Sequence, residues 1–208
     1  MRKKLILFDW GNIVESHLTG YTCYKAWVDL FKKCGYKDTD EGIFKKLPKY
    51  RLSAITTEEE FEETYTKIKK EFEFNVDFKN FVKNYNEIFD KIDYYKDVAE
   101  YEVSLKDKCY IGILSNLCIF DGKRLDRQVD LSKYDYAFLS YEMGCKKPDL
   151  EMFQAVQDKL PFDKKDILLI DDRTNNVEAA RGFGWNVFQA TGLELDKIKE
   201  VCNKFINQ

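Results

Sequence analysis

The sequence predicts an α/β fold, a doubly wound (Rossmann-like) parallel sheet of five strands with a helical insertion after the first strand. Five short apolar runs indicate the sheet, because most are continuous, as in strands buried on both faces. Helical patterns between the later runs indicate the strand-helix-strand alternation of such folds. The first run ends at residue 8 and the second begins at residue 110, a gap far longer than one crossover helix needs. The five predicted strands are Leu5–Phe8, Tyr110–Leu114, Tyr136–Leu139, Ile167–Ile170 and Asn186–Phe188.

Three helices are predicted among the later strands. Asp149–Leu160 carries apolar residues three and four positions apart, and its first residue is a typical helix start. Asn176–Phe183 is a second helix, which Gly184 ends, and Leu195–Ile206 is a third. These helices would cover the sheet on both faces.

The long segment between the first two strands is helical in pattern. Tyr24–Cys34 and Asp77–Phe89 each carry a one-sided apolar stripe, and Thr57 followed by three glutamates starts another helix. Residues 96–107 form the crossover helix that returns to the sheet. The predicted domains are a helical cap over residues 16–92 and an α/β core made of residues 1–15 and 93–208.

Charge and hydropathy restrict the classes of partner. Lys and Arg total 34 against 37 Asp and Glu, a net charge of −3, whereas a dedicated nucleic-acid binder normally carries a basic surplus. The apolar run after the basic N-terminus is too short for a signal sequence, and no run is long enough to cross a membrane. We therefore expect a cytoplasmic protein with neither nucleic acid nor membrane as a partner.

Histidine and cysteine usage narrows the chemistry. The single histidine, His17, excludes a multi-histidine zinc site. The six cysteines form no Cys-x-x-Cys pair, and an even number could in principle form disulfides. Their irregular spacing and apolar neighbours favour free buried thiols.

Polar residues follow the predicted strands at the edge where doubly wound sheets bind ligands. Asp9 follows the first strand, Ser115 and Asn116 the second, and Lys147 lies beyond the third. The fourth strand runs into the adjacent pair Asp171–Asp172. Two neighbouring carboxylates after a buried strand repel each other, and a bound cation is the usual remedy. The sequence thus predicts a cation site at this edge.

These motifs resemble, in order, the four motifs of the haloacid dehalogenase (HAD) superfamily of Mg²⁺-dependent phosphohydrolases. The insertion lies where that superfamily has its C1-type cap. The sequence also resembles bacterial sugar-phosphate phosphatases of the alpha-glucose-1-phosphate phosphatase type, which share Asp-x-Gly-Asn at the first motif and Asp-Asp-x-x-x-Asn at the fourth. The matching segments are residues 5–9, 113–116, 147–149 and 170–172 with Asn176.

The resemblance implies that Asp9 is the nucleophile, which attacks a small phosphate monoester such as a sugar phosphate and forms an aspartyl-phosphate. It places Mg²⁺ among the Asp9 carboxylate, the Gly11 carbonyl and Asp172, with Asp171 orienting either a water of the metal or Lys147.

The resemblance also assigns the groups that bind the phosphoryl oxygens. Ser115 and the backbone N–H of Asn116 hold those oxygens, and Lys147 neutralises their charge. Asn176 braces the loop that follows the fourth strand. The dehalogenase branch is disfavoured, because its fourth motif lacks the acidic pair.

The sequence departs from the superfamily at Gly11, where most members have an aspartate that acts as general acid and base. Loss of a positioned acid/base costs about 10²–10⁴-fold in rate. Three interpretations stay open. In the first, water or another group is sufficient to move the proton. In the second, Glu15 or His17 substitutes for the missing acid/base. In the third, the protein binds a phosphorylated metabolite with little turnover. A phosphomutase is a further alternative, which Gly11 disfavours.

The cap is expected to select the substrate. The cap residues that are candidates to face the site are His17, Tyr50 and Arg51. Of these, His17 and Arg51 are predicted to bind the substrate. The aromatic residues of the segment are at helical spacing and are predicted to form the core of the cap. They are Tyr21, Tyr24, Trp27, Phe31, Phe44, Tyr50, Phe61 and Tyr65.

Overall fold

The computed structural model describes residues 3–16 and 18–208 and contains a five-stranded parallel sheet. The strand order is β3-β2-β1-β4-β5, so the first strand lies at the centre between β2 and β4. The predicted fold class is therefore confirmed, and each strand extends its predicted run by no more than one residue. The strands are β1 (Leu5–Phe8), β2 (Tyr110–Ser115), β3 (Tyr136–Leu139), β4 (Ile167–Asp171) and β5 (Asn186–Gln189).

Ten α-helices accompany the sheet in the described ranges. Five of them, α1–α5, lie between β1 and β2, and the other five alternate with the later strands or follow the last one. The helices are α1 (Cys23–Lys33), α2 (Asp40–Lys46), α3 (Glu58–Glu71), α4 (Phe78–Phe89), α5 (Lys96–Ser104), α6 (Ile119–Gln128), α7 (Ser140–Met143), α8 (Leu150–Gln157), α9 (Thr174–Phe183) and α10 (Leu195–Ile206).

The alternation of side chains along β1 explains why the sheet is covered on both faces. Ile6 and Phe8 pack in a cluster with residues of α5, α6 and α10. Leu5 and Leu7 point the other way and pack with residues of α8 and α9. All four side chains are fully buried, and for this reason every residue of the β1 run is apolar.

Helix α6 was not predicted, because charged residues interrupt its apolar stripe and Gly122 stands in its middle. The structure supplies the reason for that glycine. A Cβ at Gly122 would lie 2.2 Å from the ring of Tyr141, so only glycine permits this approach. The short helix α2 was also missed, although Thr39 caps it by accepting a hydrogen bond from Gly42 N. Helix α8 is shorter than predicted and begins at Leu150.

The insertion, α1–α4, has an apolar core of its own that also contacts α6. Phe120 of α6 packs edge-on against Phe61 at 4.8 Å between ring centroids, and Tyr85 donates a 2.5 Å hydrogen bond to Asp121. The boundaries proposed for the cap, residues 16–92, remain a prediction about domain organisation.

All six cysteines are free thiols in the structure, five of them buried, so the disulfide alternative is wrong. In the described part of the chain, no helix is long and apolar enough to cross a membrane.

Candidate functional site

The carboxyl ends of three neighbouring strands bring the predicted polar residues together. Phe8 of β1 is in register with Ile113 of β2 and Ile170 of β4. The next residues, Asp9, Leu114 and Asp171, therefore stand at the same level, and the Asp9 backbone N–H donates to Ile170 O at 2.8 Å. Asp171 ends β4 beside Asp9, and Ser115, one residue beyond Leu114 at the end of β2, reaches Asp9 with its hydroxyl.

Asp9 is buried and held through one of its carboxylate oxygens. Its Oδ1 accepts hydrogen bonds from the Ser115 hydroxyl at 2.7 Å and from the backbone N–H of Trp10 at 2.8 Å. The same oxygen lies 3.1 Å from Lys147 Nζ. Burial raises the pKa of Asp9 to about 6, although Lys147 opposes the shift. The arrangement orients the carboxylate and leaves its Oδ2 with no hydrogen-bond donor among the described residues.

Lys147 is almost completely buried and is fixed by three oxygens. Its Nζ lies 2.5 Å from Asp171 Oδ2, donates to Leu114 O at 2.6 Å, and lies 3.1 Å from Asp9. Burial alone would lower the pKa of Lys147, but Asp9 and Asp171 outweigh burial, so the pKa lies above its ordinary 10.5. The ammonium therefore stays charged at neutral pH although it is buried.

Asp171 is completely buried, and other side chains engage both of its oxygens. Asn176 donates to both at 3.0 Å, the Arg173 backbone N–H donates to Oδ1 at 2.9 Å, and Lys147 occupies Oδ2. Asp171 thus orients Lys147 directly, and Asn176 holds the loop after β4 by way of Asp171. Of the two alternatives for Asp171, this geometry favours the contact with Lys147.

Asp172 is more exposed than Asp171, and its Oδ2 accepts a 3.0 Å hydrogen bond from Asn12 Nδ2. Asn12 has a left-handed backbone with φ of 59°, and its buried Oδ1 has no hydrogen-bond partner among the described residues. The turn after β1 therefore reaches across to the loop after β4.

The donor set fits a hard divalent cation such as Mg²⁺. Carboxylate oxygens of Asp9, Asp171 and Asp172 lie within 4.8 Å of one another, and Lys147 supplies one positive charge against three negative ones. Mg²⁺ prefers oxygen ligands and usually takes only one or two carboxylates. Because Asp171 is engaged by Lys147 and Asn176, Asp9 and Asp172 are the carboxylates that would hold the ion. Gly11 lines the same cavity, consistent with the predicted role of its carbonyl.

Asn116 positions the loop that carries Lys147. Its side chain donates to Lys147 O at 2.7 Å and accepts from Lys147 N at 2.9 Å, a pair of bonds that ties β2 to the third motif. The predicted role of the Asn116 backbone N–H in binding phosphoryl oxygens remains a prediction. Both Ser115 and Asn116 line the cavity beside Asp9.

Glu15, a candidate replacement for the missing acid/base, is committed to a buried ion pair. Its Oε2 accepts from Arg124, which is itself buried and also lies 3.4 Å from Asp121. One oxygen of the Glu15 carboxylate is therefore engaged in holding Arg124. His17, the other candidate, lies outside the described residues.

A cavity of about 460 Å³ opens above Asp9 and is shared by the sheet edge and the insertion. Arg51 lines it as predicted and forms a 2.6 Å ion pair with Asp149. Tyr50 does not line it, because its hydroxyl donates to Glu71. The prediction that Tyr24 packs in the core of the insertion is wrong, since it lines the cavity and is 51% exposed.

Several residues of the cavity were not singled out from the sequence. Lys146 and Arg173 line it and are neighbours of predicted site residues, which was the signal that could have found them. Asn12, which holds Asp172 without lining the cavity, lies inside the first motif. Trp27 and Phe44 also line the cavity, and helical spacing alone could not distinguish them from core residues.

Solved structures share this architecture. A HAD family enzyme from Bacteroides thetaiotaomicron, in complex with magnesium and inorganic phosphate, is 21% identical, with a TM-score of 0.73 over 92% of this chain and 96% of that one. YfnB of Bacillus subtilis, bound to magnesium, is 16% identical, with a TM-score of 0.64 over 98% and 100%.

A third similar structure comes from the dehalogenase branch. L-2-haloacid dehalogenase of Xanthobacter autotrophicus, with chloropropionic acid covalently bound, is 15% identical, with a TM-score of 0.65 over 90% of this chain and 77% of that one. Identities this low establish a common fold. In sequence, the family of haloacid dehalogenase-like hydrolases matches residues 6–190, nearly the whole chain. With its strand-end motifs assembled around Asp9, the chain belongs to the haloacid dehalogenase-like hydrolases.

Proposed function

We propose that the protein is a Mg²⁺-dependent phosphatase that hydrolyses a small organic phosphate monoester through an aspartyl-phosphate on Asp9. The observation that carries the proposal is the arrangement of Asp9, with Oδ1 held by Ser115 and Lys147 and Oδ2 without a donor in the described part of the chain. Such a carboxylate is oriented for attack while its charge is balanced. The phosphate-bound and magnesium-bound relative from Bacteroides supports the same ligand pair.

Different residues of the chain have different roles in phosphoryl transfer. Asp9 attacks phosphorus and later regains its carboxylate when water cleaves the acyl phosphate. The Ser115 hydroxyl lies 2.7 Å from Asp9 Oδ1 and lines the cavity, where it can bind a transferred oxygen. The Lys147 ammonium, 3.1 Å from Asp9 Oδ1, supplies a positive charge beside them. Lys146 and Arg173 line the cavity and add positive charge for a phosphate dianion. Positioning and charge stabilisation of this kind are most of what the reaction requires.

A bound Mg²⁺ would neutralise charge on the phosphoryl oxygens and on the Asp9 carboxylate. Asp171 and Asn176 prepare the site by keeping Lys147 in place. Asp172, held by Asn12, remains at the cavity wall as the second carboxylate for the ion.

We expect p-nitrophenyl phosphate to be hydrolysed in the presence of Mg²⁺ and not in excess EDTA. The reason is that three carboxylates cluster at Asp9 and the Lys147 ammonium contacts two of them, which leaves negative charge that repels a phosphate dianion at this point until a divalent ion binds. The measurement is release of p-nitrophenolate across a Mg²⁺ titration. Full activity in EDTA would contradict the metal assignment.

Asp172→Ala should raise the Mg²⁺ concentration needed for half-maximal activity by at least about tenfold, because it removes one of the two carboxylates available to the ion. Asp163→Ala, which removes an exposed carboxylate before the start of β4, at the opposite end of that strand from Asp171, is the matched control and should leave the Mg²⁺ requirement unchanged. An unaltered requirement in Asp172→Ala would place the ion elsewhere.

A second candidate function is binding of a phosphorylated metabolite with little turnover. Gly11 favours it, since the residue has no side chain to move a proton, and Glu15 is engaged by Arg124. The assay separates the two functions. Inorganic phosphate that binds with Mg²⁺, without turnover of p-nitrophenyl phosphate, would support the binder.

A further inference from the structure

We propose that the substrate is the phosphate ester of a planar aromatic alcohol with an acidic hydroxyl, a phenyl phosphate in chemical class, whose ring packs on Tyr24, Trp27 and Phe44. This inference rests on the proposed phosphatase function and names its leaving group. Two independent observations carry it, the aromatic wall of the cavity and the absence of an acid at Gly11.

The aromatic wall is built by the first two helices of the insertion. Tyr24 and Trp27 lie three residues apart on α1, on the same side of the helix, and Phe44 projects from α2. The rings of Tyr24 and Phe44 are stacked at 4.5 Å between centroids with 14° between their planes. Trp27 is braced from behind by edge-on contacts with Tyr85 and Phe89 at 5.8 and 5.1 Å.

The wall belongs to the same cavity as the reacting carboxylate. Asp9, Gly11, Ser115 and the aromatic side chains all line one space of about 460 Å³. That volume is in the range of small-molecule sites, and a ring bound to a phosphoryl group fits within it. Apolar residues continue the wall toward the turn that carries Arg51; they are Leu47, Pro48 and Leu52.

The exposure of Tyr24 is unusual for a large side chain that stacks on another ring. With 51% of its surface exposed, it gains little from folding and faces a concave, partly apolar space. A ligand ring would cover it and add a further stacked aromatic contact. The hydroxyls of a sugar would gain no hydrogen bond from Leu47, Pro48 or Phe44, whose side chains have no polar atom.

The chemistry at Gly11 favours the same leaving group. Asp9 Oδ attacks phosphorus, the P–O bond to the aromatic alcohol breaks, and its electron pair leaves on the phenolate oxygen. A phenol has a pKa of about 10, so the phenolate departs unprotonated and takes its proton from water afterwards. Water then attacks the phosphorus of the acyl phosphate, the P–O bond to Asp9 breaks and its electron pair returns to the carboxylate. Both protons of the water stay on the inorganic phosphate that is released. Expulsion of the phenolate thus needs no side-chain acid at Gly11.

Phosphonates test the wall without turnover, because their P–C bond is not hydrolysed. We expect the wild-type protein with Mg²⁺ to bind phenylphosphonate at least about tenfold more tightly than methylphosphonate in a calorimetric titration. Tyr24→Ala should abolish most of that preference and leave methylphosphonate affinity within twofold. Tyr24→Phe keeps the ring and should retain the preference.

Leu193→Ala, which removes an equally exposed large apolar side chain that does not line the cavity, is the matched control and should change neither affinity. Equal affinities for the two phosphonates, together with turnover of p-nitrophenyl phosphate, would overturn the aromatic assignment and leave the phosphatase standing. Binding of neither phosphonate and no turnover would overturn both proposals.

Turnover adds a second readout that binding cannot supply. Phenyl phosphate should exceed benzyl phosphate in kcat/KM by at least about 10²-fold, since both have the ring but only the phenyl ester has the acidic leaving group. Glucose 6-phosphate, which has neither feature, should be slower than both. A kcat/KM for benzyl phosphate equal to that for phenyl phosphate would show that another group supplies the proton, and would overturn the argument from Gly11.

Discussion

Asp9→Asn should lose at least about 10⁴-fold in kcat, because an amide cannot form the acyl phosphate. The same variant should be at least as stable as the wild type in metal-free buffer at pH 7. Burial raises the pKa of Asp9 to about 6, so the ionised carboxylate at pH 7 is less favourable in the folded protein than in the unfolded chain. Asparagine removes that charge and is almost the same size.

The measurements are p-nitrophenyl phosphate turnover and a thermal melt on freshly purified protein, with mass spectrometry to exclude deamidation. Acid-quenched wild-type protein should carry one added phosphoryl group on the peptide that contains Asp9, and the variant should carry none. Asp149→Asn, a partly exposed carboxylate on the rim that pairs with Arg51, is the control for loss of one charge near the cavity. More than about a tenth of wild-type activity in Asp9→Asn would show that Asp9 is not the nucleophile.

The second large effect concerns Glu102, a carboxyl group in α5 that lies away from the active-site cavity. Its side chain is completely buried. Tyr134 donates to Oε2 at 2.8 Å, and Oε1 has no hydrogen-bond partner among the described residues. Burial raises the pKa of Glu102 from the ordinary 4.5 to about 8, although the Tyr134 hydroxyl favours the ionised form. Glu102 is thus protonated at neutral pH.

The sign of the pH dependence follows from proton binding. Between pH 4.5 and pH 8, folded protein keeps a proton on Glu102 that unfolded chain releases, so the free energy of unfolding falls as pH rises. The slope is about 1 kcal/mol per pH unit, and the total is a few kcal/mol. Glu102→Gln is neutral at every pH and should remove this part of the slope. The variant should match the wild type near pH 5 and be more stable by on the order of a few kcal/mol at pH 8–9.

Urea unfolding of both proteins at a series of pH values measures the difference, and contributions from other groups cancel in it. Glu100→Gln, an exposed carboxylate on the same helix, is the control and should keep the wild-type slope. A Glu102→Gln slope equal to that of the wild type would mean that Glu102 is ionised in the folded protein.

Much of the site could be predicted from sequence because sheet topology determines where strand ends meet. Once β1, β2 and β4 were identified as buried parallel strands, Asp9, Ser115 and Asp171 had to lie at one edge. The hydrogen-bond partners of these residues could not be predicted in this way. That Asn12 reaches Asp172, and that Arg124 engages Glu15, depends on contacts between residues more than a hundred positions apart.

Helices were predicted where an apolar stripe was uninterrupted and missed where packing overrode it. The boundaries of α10, Leu195–Ile206, were predicted without error, whereas α6 was not predicted. Gly122 is unfavourable in an isolated helix by roughly 1 kcal/mol, and its place there makes sense only with the ring of Tyr141 against it.

By itself, the sequence determined the α/β class, the order of chemistry-bearing residues and the family, because these depend on local periodicity and on motifs short enough to read along the chain. The tertiary structure alone decided whether a given apolar side chain packs in the core or faces the cavity. Tyr24 and Phe31 both have helical spacing on α1, yet Phe31 is buried in the insertion and Tyr24 faces the cavity above Asp9. Periodicity identifies the apolar side of a helix, but what packs against that side, protein or ligand, depends on where the helix lies relative to the sheet.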